Sequence, residues 1–134
     1  MINDGLNLKG KLAIALNGKV VQEVDNIVVT TGKGYVASRM KDATATAMSH
    51  MAIGSGTTNP AAGDTALETE LGRVALTSTA VSSNVVTYTA TFAAGTGTGA
   101  VTEAGILNAS SSGTLLCRTE FSVVNKGSAD SMTI

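Results

Sequence analysis

Two side chains with catalytic potential, His50 and Cys117, each occur once in the sequence. A Ser-His-Asp or Cys-His site would have to use His50 as its base, and the sequence has no G-x-S-x-G turn to expose a serine nucleophile. We expect His50 to be a structural or surface residue of a strand, with no catalytic role. Cys117 follows two leucines, and we expect it to be a small buried residue.

Three glycine-rich segments raise the question of nucleotide binding: residues 32–34, 54–56 and 95–99. The first lacks the upstream glycine and the Lys-Ser/Thr pair of a P-loop, and the second lacks the third glycine of a dinucleotide fingerprint. The third leads into a predicted strand, whereas both nucleotide motifs lead into a helix. We predict that all three are turns, because glycine adopts backbone conformations that other residues avoid.

Acidic side chains cluster at Asp64, Glu68 and Glu70. The D-x-D-x-D-G pattern of a calcium loop is absent from the sequence, and one histidine with one cysteine cannot form a typical four-ligand zinc site. We interpret these acids as residues that favour the N-terminus of a short helix. The sequence therefore predicts no catalytic, cofactor-binding or metal-binding residues, no cofactor and no enzyme activity.

The composition describes a single domain, residues 1–134, with little charge. Charged residues make up 14% of the chain and the net charge is −1, so we expect no nucleic-acid partner. The N-terminus lacks the pattern of a signal peptide, and no apolar run approaches the ~20 residues of a membrane span. We therefore expect synthesis in the cytoplasm and no membrane contact.

The first half of the chain is predicted to hold one hairpin and two short helices. Strands Lys11–Leu16 and Lys19–Val24 flank Asn17 and Gly18, a strong hairpin signal because both residues tolerate a positive φ. A second turn is predicted at Asp25 and Asn26. The other predicted elements are a strand at Ile27–Thr30, a helix at 32–40 capped by Thr31, a strand at 48–53, and a helix at 65–71 with Thr65 and Glu68 as its capping box.

The second half is predicted to be β structure. The clearest strand covers residues 85–93, where Val86, Tyr88, Ala90 and Phe92 alternate with threonines and should form a buried face. The other predicted strands are 74–81, 100–108, 114–121 and 131–134. About eight strands joined by Gly/Ser turns predict a mainly β fold, a single antiparallel β-sandwich or jelly-roll-like barrel with one or two short helices.

Five short motifs follow one another from about residue 25 to the end of the chain. They are Asp25–Thr30 followed by Gly32 and Lys33; Met51–Thr58; Asp64–Leu67 with Glu70, Leu71 and Arg73; Thr91 and Phe92 leading through residues 97–99 to Glu103–Ile106; and Val124–Gly127. In this order the motifs resemble virion structural proteins of tailed bacteriophages, which are of decoration, tail or fibre-like type.

The resemblance implies a non-enzymatic structural protein located in the virion. We expect a capsid decoration (cement) protein that binds and stabilises the outside of the head, because the sequence shows neither the repeats nor the heptads of a long fibre. The alternative is a tail, baseplate or fibre-associated component, and a small hydrolase or lectin is a more distant one. The expected partners are the major capsid protein or other virion proteins, together with further copies of the chain in a dimer or trimer.

Two finer expectations concern particular residues. Glu103 lies beside apolar residues, and we hypothesise that it pairs with Arg73 across the sheet. Proteins of the type that these motifs resemble often continue past the final threonines as a longer strand that contains tryptophan. We therefore expect the strand at 131–134 to be short or to be completed by a neighbouring chain.

Overall fold

The computed structural model describes residues 6–41 and 44–134, and about half of the chain (50%) lies in strands against 9% in helix. The described residues form ten strands and one helix. Their bounds are β1 Gly10–Leu16, β2 Lys19–Val28, α1 Thr30–Lys41, β3 His50–Gly54, β4 Glu70–Ala75, β5 Ser78–Ser82, β6 Val85–Thr89, β7 Thr91–Phe92, β8 Gly99–Leu107, β9 Leu115–Lys126 and β10 Met132–Thr133.

Eight of these strands form one antiparallel sheet in the order β4-β3-β8-β9-β2-β1-β10-β7. The two outer strands, β4 and β7, come into contact, so the sheet curls into a nearly closed barrel. Strands β5 and β6 pair only with each other among the described residues. The predicted mainly β, antiparallel class with one or two short helices is confirmed, and the described residues form one helix.

The first hairpin forms where its turn residues predict it. Asn17 and Gly18 have φ angles of 50° and 81°, and β1 pairs with β2 on either side of them. The predicted turn at Asp25 and Asn26 is wrong, because both residues stay in β2 and pair with Lys11 and Gly10. The predicted third strand is therefore the end of β2.

Helix α1 begins at Thr30, two residues before its predicted start. Thr31 is not its cap, because it lies inside the first turn and its hydroxyl donates a 3.1 Å hydrogen bond to the carbonyl of Leu115. Gly32 faces strand β9 so closely that a Cβ there would overlap the carbonyl oxygen of Leu116. The predicted turn at residues 32–34 is therefore wrong, because these residues lie inside α1, where Gly32 permits the helix to pack closely on the sheet.

The second predicted helix, residues 65–71, does not form. Residues 55–69 are a loop, and β4 begins at Glu70. The backbone N–H groups of Glu68 and Thr69 donate to the carboxylate of Glu103 instead of to a helical carbonyl. The Thr65–Glu68 capping box is wrong for the same reason, since the Glu68 carboxylate binds Thr58.

The run 85–93 divides into an exposed part and a buried part. Ala90 and Phe92 are fully buried in the barrel, as their alternation predicts, and Tyr88 packs at the edge of the core. Val86, predicted to be buried, is 47% exposed. The period-two pattern is correct for side-chain direction, but β5 and β6 extend beyond the wall of the barrel. The predicted strand 74–81 likewise divides into β4 and β5.

The last strand, β10, lies between β1 and β7. Met132 pairs with Leu16 on one side and with Phe92 on the other, and it is fully buried. Of the two alternatives expected for residues 131–134, the short strand is confirmed, because β10 has only two residues. Completion by a neighbour is wrong for Met132 and Thr133, because both of their edges are paired within the chain. Removing them should therefore damage folding directly.

Candidate functional site

A loop of fifteen residues, the strap (residues 55–69), crosses the outer face of strands β3, β8 and β9. A small apolar cluster lies beneath it and includes Leu67, Leu107 and Leu115. Gly105 provides the space, because a Cβ at this position would meet the side chain of Leu67 at 2.7 Å. Apolar packing thus holds part of the strap on the sheet, and polar contacts hold its two ends.

Glu103, on β8, is the centre of those polar contacts and is fully buried. Its carboxylate accepts hydrogen bonds from the backbone N–H groups of Gly56 (3.0 Å), Glu68 (3.0 Å) and Thr69 (2.8 Å). It also accepts one from Nε of Arg118 at 2.9 Å. Four donors around one carboxylate satisfy the requirement that a buried charge be both paired and hydrogen-bonded.

Arg118, on β9, connects Glu103 to the rest of the strap. Its guanidinium donates to Oδ2 of Asp64 at 2.9 Å and to the carbonyl of Thr58 at 3.1 Å, and it lies 3.7 Å from a carboxylate oxygen of Glu68. Its side chain is only 3% exposed. Burial alone would lower the pKa of Arg118, but its hydrogen bonds to Asp64 and Glu103 raise the pKa, so the guanidinium stays charged.

The two outer carboxylates of this network are also held in the ionised form. The backbone N–H of Ala61, and then Arg118, lower the pKa of Asp64. The backbone N–H and the hydroxyl of Thr58, at 2.8 and 2.9 Å, lower the pKa of Glu68. These acids close a loop onto a sheet, which corrects their sequence-based interpretation as helix-capping residues.

The network brings together three of the five sequence motifs. Gly54 and Gly56 come so close to Glu103 that a Cβ on either would meet its side chain. Thr58, Asp64 and Glu68 supply the remaining strap contacts, and Thr102 donates to the carbonyl of Gly56 at 2.6 Å. Glycines that resembled a nucleotide motif therefore serve close packing around a buried carboxylate.

The hypothesised pair of Glu103 with Arg73 is wrong. Arg73 forms a two-bond contact with Glu70, at 2.7 and 3.0 Å, and also donates to the carbonyls of Ala109 and Ser112. The partner of Glu103 is Arg118, which the sequence reasoning did not single out. The two residues are distant in sequence. The β8–β9 ladder pairs Arg118 with Gly105, two residues from Glu103, so the two side chains meet diagonally across the ladder.

A second buried cation, Lys126, ties the end of β9 to two loops. Its ammonium donates to the carbonyls of Ala93 (2.9 Å) and Asp130 (2.7 Å), and the residue is 1% exposed. Nearby, the side chain of Asn17 donates to the carboxylate of Asp130 and accepts from the N–H of Ser131. These bonds fix the segment that leads into β10.

The two residues with catalytic potential do not meet in a reactive arrangement. His50 begins β3, and its Nδ1 lies 2.8 Å from the hydroxyl of the adjacent Ser49. Cys117 is buried, and burial raises the pKa of its thiol to about 11, so the thiolate is scarce near neutral pH. Among the described residues, no group of three or more His, Cys, Asp or Glu side chains is arranged to hold a metal ion.

A cavity of about 880 Å³ lies at the mouth of the barrel. Residues 8–13 form one side, residues 84–89 form the other, and Ile134 lies at one end. Its floor includes Met51 and Ile106 from the barrel wall. Asn26 also lines it, and the buried Oδ1 atom of that residue has no hydrogen-bond partner within residues 6–41 and 44–134.

The hairpin of β5 and β6 forms one wall of this cavity and projects beyond it. Every residue from Ser78 to Val86 is exposed in the chain. Val81, Val85 and Val86 are 72%, 56% and 47% exposed. Residues 78–89 include no charged side chain, so the hairpin presents an uncharged, β-branched surface.

No family model, curated protein or solved structure matches the chain. In the described ranges, the structure contains no helix that is both long and apolar enough to span a membrane. The function proposed below is therefore based on the fold, the strap network and the open hairpin.

Proposed function

We propose that the chain is a non-enzymatic structural protein of a tailed-bacteriophage virion and, more specifically, a capsid decoration protein that binds the outside of the head. The ordered motifs that resemble such proteins support the proposal. Three of them meet in the strap network, where each polar group is used to hold a loop on a sheet. A network saturated in this way stabilises a shape and leaves no lone pair of Glu103 free for chemistry.

The exposed hairpin of β5 and β6 is the single observation that carries the proposal furthest. A two-stranded hairpin in water is marginally stable by itself, and three exposed valines are a cost to a free monomer. Burial against another protein surface would remove both disadvantages, since apolar area removed from water gains about 25 cal/mol per Å². An uncharged surface also suits contact with protein better than contact with nucleic acid.

Location within the particle is the first test. Purified particles that contain the chain would be labelled with a gold-conjugated antibody and imaged by electron microscopy. Labels distributed over the head support the decoration role. Labels confined to the tail or baseplate would replace it with a tail-associated role, and particles without label would overturn both.

Attachment is the second test. Purified protein would be mixed with particles that lack it, and the amount that sediments with the particles measured. The variant Val81→Glu should reduce attachment at least tenfold, because it places a charge on the exposed hairpin face. Val123→Glu is the matched control: Val123 is 53% exposed on β9, away from the hairpin. Equal attachment by the two variants would refute the hairpin as the contact surface.

The oligomeric state on the particle is the third test. We propose a symmetric dimer or trimer, since virion surfaces repeat around symmetry axes. Image reconstruction of decorated particles would show the copies grouped in twos or threes. Isolated copies without contacts between them would contradict this part of the proposal.

A further inference from the structure

Strands β1 and β6 flank a seam that no strand of the described residues fills. Strand β10 fills only part of the space between its neighbours, because it pairs with Ala15 and Leu16 of β1 and with Thr91 and Phe92 of β7. Beyond Ile134 the two walls continue as residues 10–14 on one side and β6 on the other. Among the described residues no strand lies between them, and the cavity of about 880 Å³ occupies this position.

The backbone of β1 presents unpaired groups to the seam. In an antiparallel ladder, alternate residues direct their N–H and C=O groups to opposite neighbours. Asn17 donates to Ser131, and Ala15 pairs with Thr133. By the same alternation, Ala13 and Lys11 direct their backbone groups toward the seam. The residues between them direct their backbone groups to β2, the other neighbour of β1.

The opposite wall shows the same feature. Ala90 and Ile134 exchange two backbone hydrogen bonds, of 2.9 and 3.0 Å, which continue the ladder of β7 and β10 by one pair. Two and four residues earlier, Tyr88 and Val86 have the same orientation, and both line the cavity. Each wall of the seam therefore presents backbone hydrogen-bonding groups at every second residue, as pairing with a β-strand requires.

The interior of the seam specifies the side chains of that strand. Met132 and Ile134 point into the barrel, whereas the hydroxyl of Thr133 contacts that of Thr91 outside it. A strand in line with β10 would therefore place every second side chain inward. The inward positions face apolar residues such as Leu12 and Ile106, so these positions call for apolar side chains.

The residues at the far end of the seam indicate the charge and the direction of a strand that would bind there. Lys9 and Lys11 line the cavity at the end remote from Ile134, together with Asp25, the β2 partner of Lys11, which offsets one of their two charges. A strand that is antiparallel to β1 and in line with β10 would bring its C-terminal end to these lysines. A carboxylate at that end would complement their charge, whereas a charge in the middle of the strand would lie in an apolar space.

We propose that the seam binds one further β-strand supplied by a partner polypeptide. The strand is antiparallel to β1, carries apolar side chains at alternate inward positions, and ends in a carboxylate near Lys9 and Lys11. This is strand addition to two sheet edges at once, in which main-chain hydrogen bonds give affinity and the inward pockets give specificity. The inference rests on the seam alone and holds whether or not the protein belongs to a virion.

The first experiment tests the seam with a tethered probe. The peptide Thr-Leu-Thr-Val-Thr would be fused directly after Ile134, which removes the dependence on a weak free-peptide affinity. We expect the fusion to raise Tm by roughly 5 °C and to slow hydrogen exchange at the amides of Lys11, Ala13 and Tyr88. A fusion with Thr-Leu-Pro-Val-Thr is the matched control. An equal Tm for the two fusions, or unchanged exchange at these amides, would overturn the proposal.

The second experiment tests supply by a separate chain. The acetylated peptide Thr-Leu-Thr-Val-Thr, with a free C-terminal carboxylate, would be titrated into the full chain at millimolar concentration while the same amides are followed by NMR. Saturable shifts at those amides, weakened several-fold when the peptide is C-terminally amidated, are expected. No saturable shifts would overturn supply in trans, and equal binding by the amidated peptide would overturn the assigned direction.

A matched pair of variants separates the seam from the rest of the hairpin. Val81 and Val86 are directly opposite each other in the β5–β6 ladder, but only Val86 lines the cavity. Both are exposed, so neither change should unfold the protein. Val86→Glu should reduce peptide binding at least tenfold, and Val81→Glu should leave it unchanged. The same effect from both variants would contradict binding inside the seam.

Discussion

The strap and the seam differ in whether their polar groups are paired within the chain. Under the strap, Glu103 and Arg118 are buried and every charge has a partner in the same chain. At the seam, backbone groups of β1 and β6 face a cavity, and valines of the hairpin are exposed. The first region is complete within the described residues, whereas we propose that the second is completed by a partner. The two regions should therefore respond differently to mutation.

The contrast also appears within one strand. Strand β10 and its flanking loop are fixed by Lys126, Asp130 and Asn17 at one end. At its other end, after Ile134, the ladder meets the open seam. Polar bonds therefore hold β10 where it enters the barrel, whereas the cavity lies at its other end.

The largest effect is expected where the strap network is broken. Arg118→Met should lower the free energy of unfolding by about 3–5 kcal/mol, because it leaves the carboxylate of Glu103 buried without its cation. Urea denaturation monitored by tyrosine fluorescence would measure it. Glu70→Gln is the control, since it disrupts a partly exposed pair with Arg73 and should cost less than about 1 kcal/mol. Similar losses for both variants would mean that the buried network has no special weight.

A second large loss of stability is expected in the buried part of residues 85–93, but not in their exposed part. Phe92→Ala should cost about 3–5 kcal/mol, because it leaves a cavity in the closed part of the barrel. Val86→Ala, in the exposed part of the same run, should cost less than about 0.5 kcal/mol. Denaturant titrations would compare them. A loss below about 1 kcal/mol for Phe92→Ala would show that the barrel is more open than its described geometry.

These two predictions mark how far the sequence alone leads. The alternation in 85–93 correctly predicts that Phe92 points inward, since side-chain direction in a strand is a local property. It does not predict that Val86 is exposed, because exposure depends on where the barrel wall ends. The Asn17–Gly18 hairpin was predictable for the same local reason.

The strap shows what local patterns cannot predict. Thr65 and Glu68 have the spacing of a helix-capping box, but the carboxylate of Glu103 binds the backbone N–H groups of this segment. That competitor is about 35 residues away in sequence. The pairing of Glu103 with Arg118 likewise follows from the β8–β9 register. The motifs did indicate which residues matter, although the reason for their importance is structural support.

Acid should weaken the strap without affecting the seam. The folded-state pKa values of Asp64 and Glu68 are lowered by the N–H groups of Ala61 and Thr58, and Arg118 adds to this effect. Stability from these groups is therefore complete above their ordinary pKa values of 3.8 and 4.5, and it is lost as the pH falls through the lowered values. Tm should be constant from pH 7 to about pH 5 and then decrease.

A matched variant tests whether the decrease in Tm at acid pH comes from the strap network. Asp64→Asn keeps an acceptor for the N–H of Ala61 but cannot ionise, so the decrease in Tm between pH 5 and pH 3 should be smaller than in the unmodified protein. Differential scanning calorimetry across that range would measure it. A Tm curve of unchanged shape would assign the decrease to other carboxylates, with Asp130 the next candidate because its pKa is also lowered.

The smallest effect on stability is expected at the hairpin, and it is the sharpest test of the comparison. Val81 is 72% exposed and faces its partner Val86 across the β5–β6 ladder. Val81→Glu should change the free energy of unfolding by no more than about 0.5 kcal/mol, because it disturbs no buried contact. The same variant should lose most of its attachment to particles, since a charge on this surface must be desolvated in the contact. A residue that matters for attachment and not for folding belongs to a surface completed by a partner. If Val81→Glu instead unfolds the protein, the hairpin is part of the closed structure and the division between the two regions is wrong.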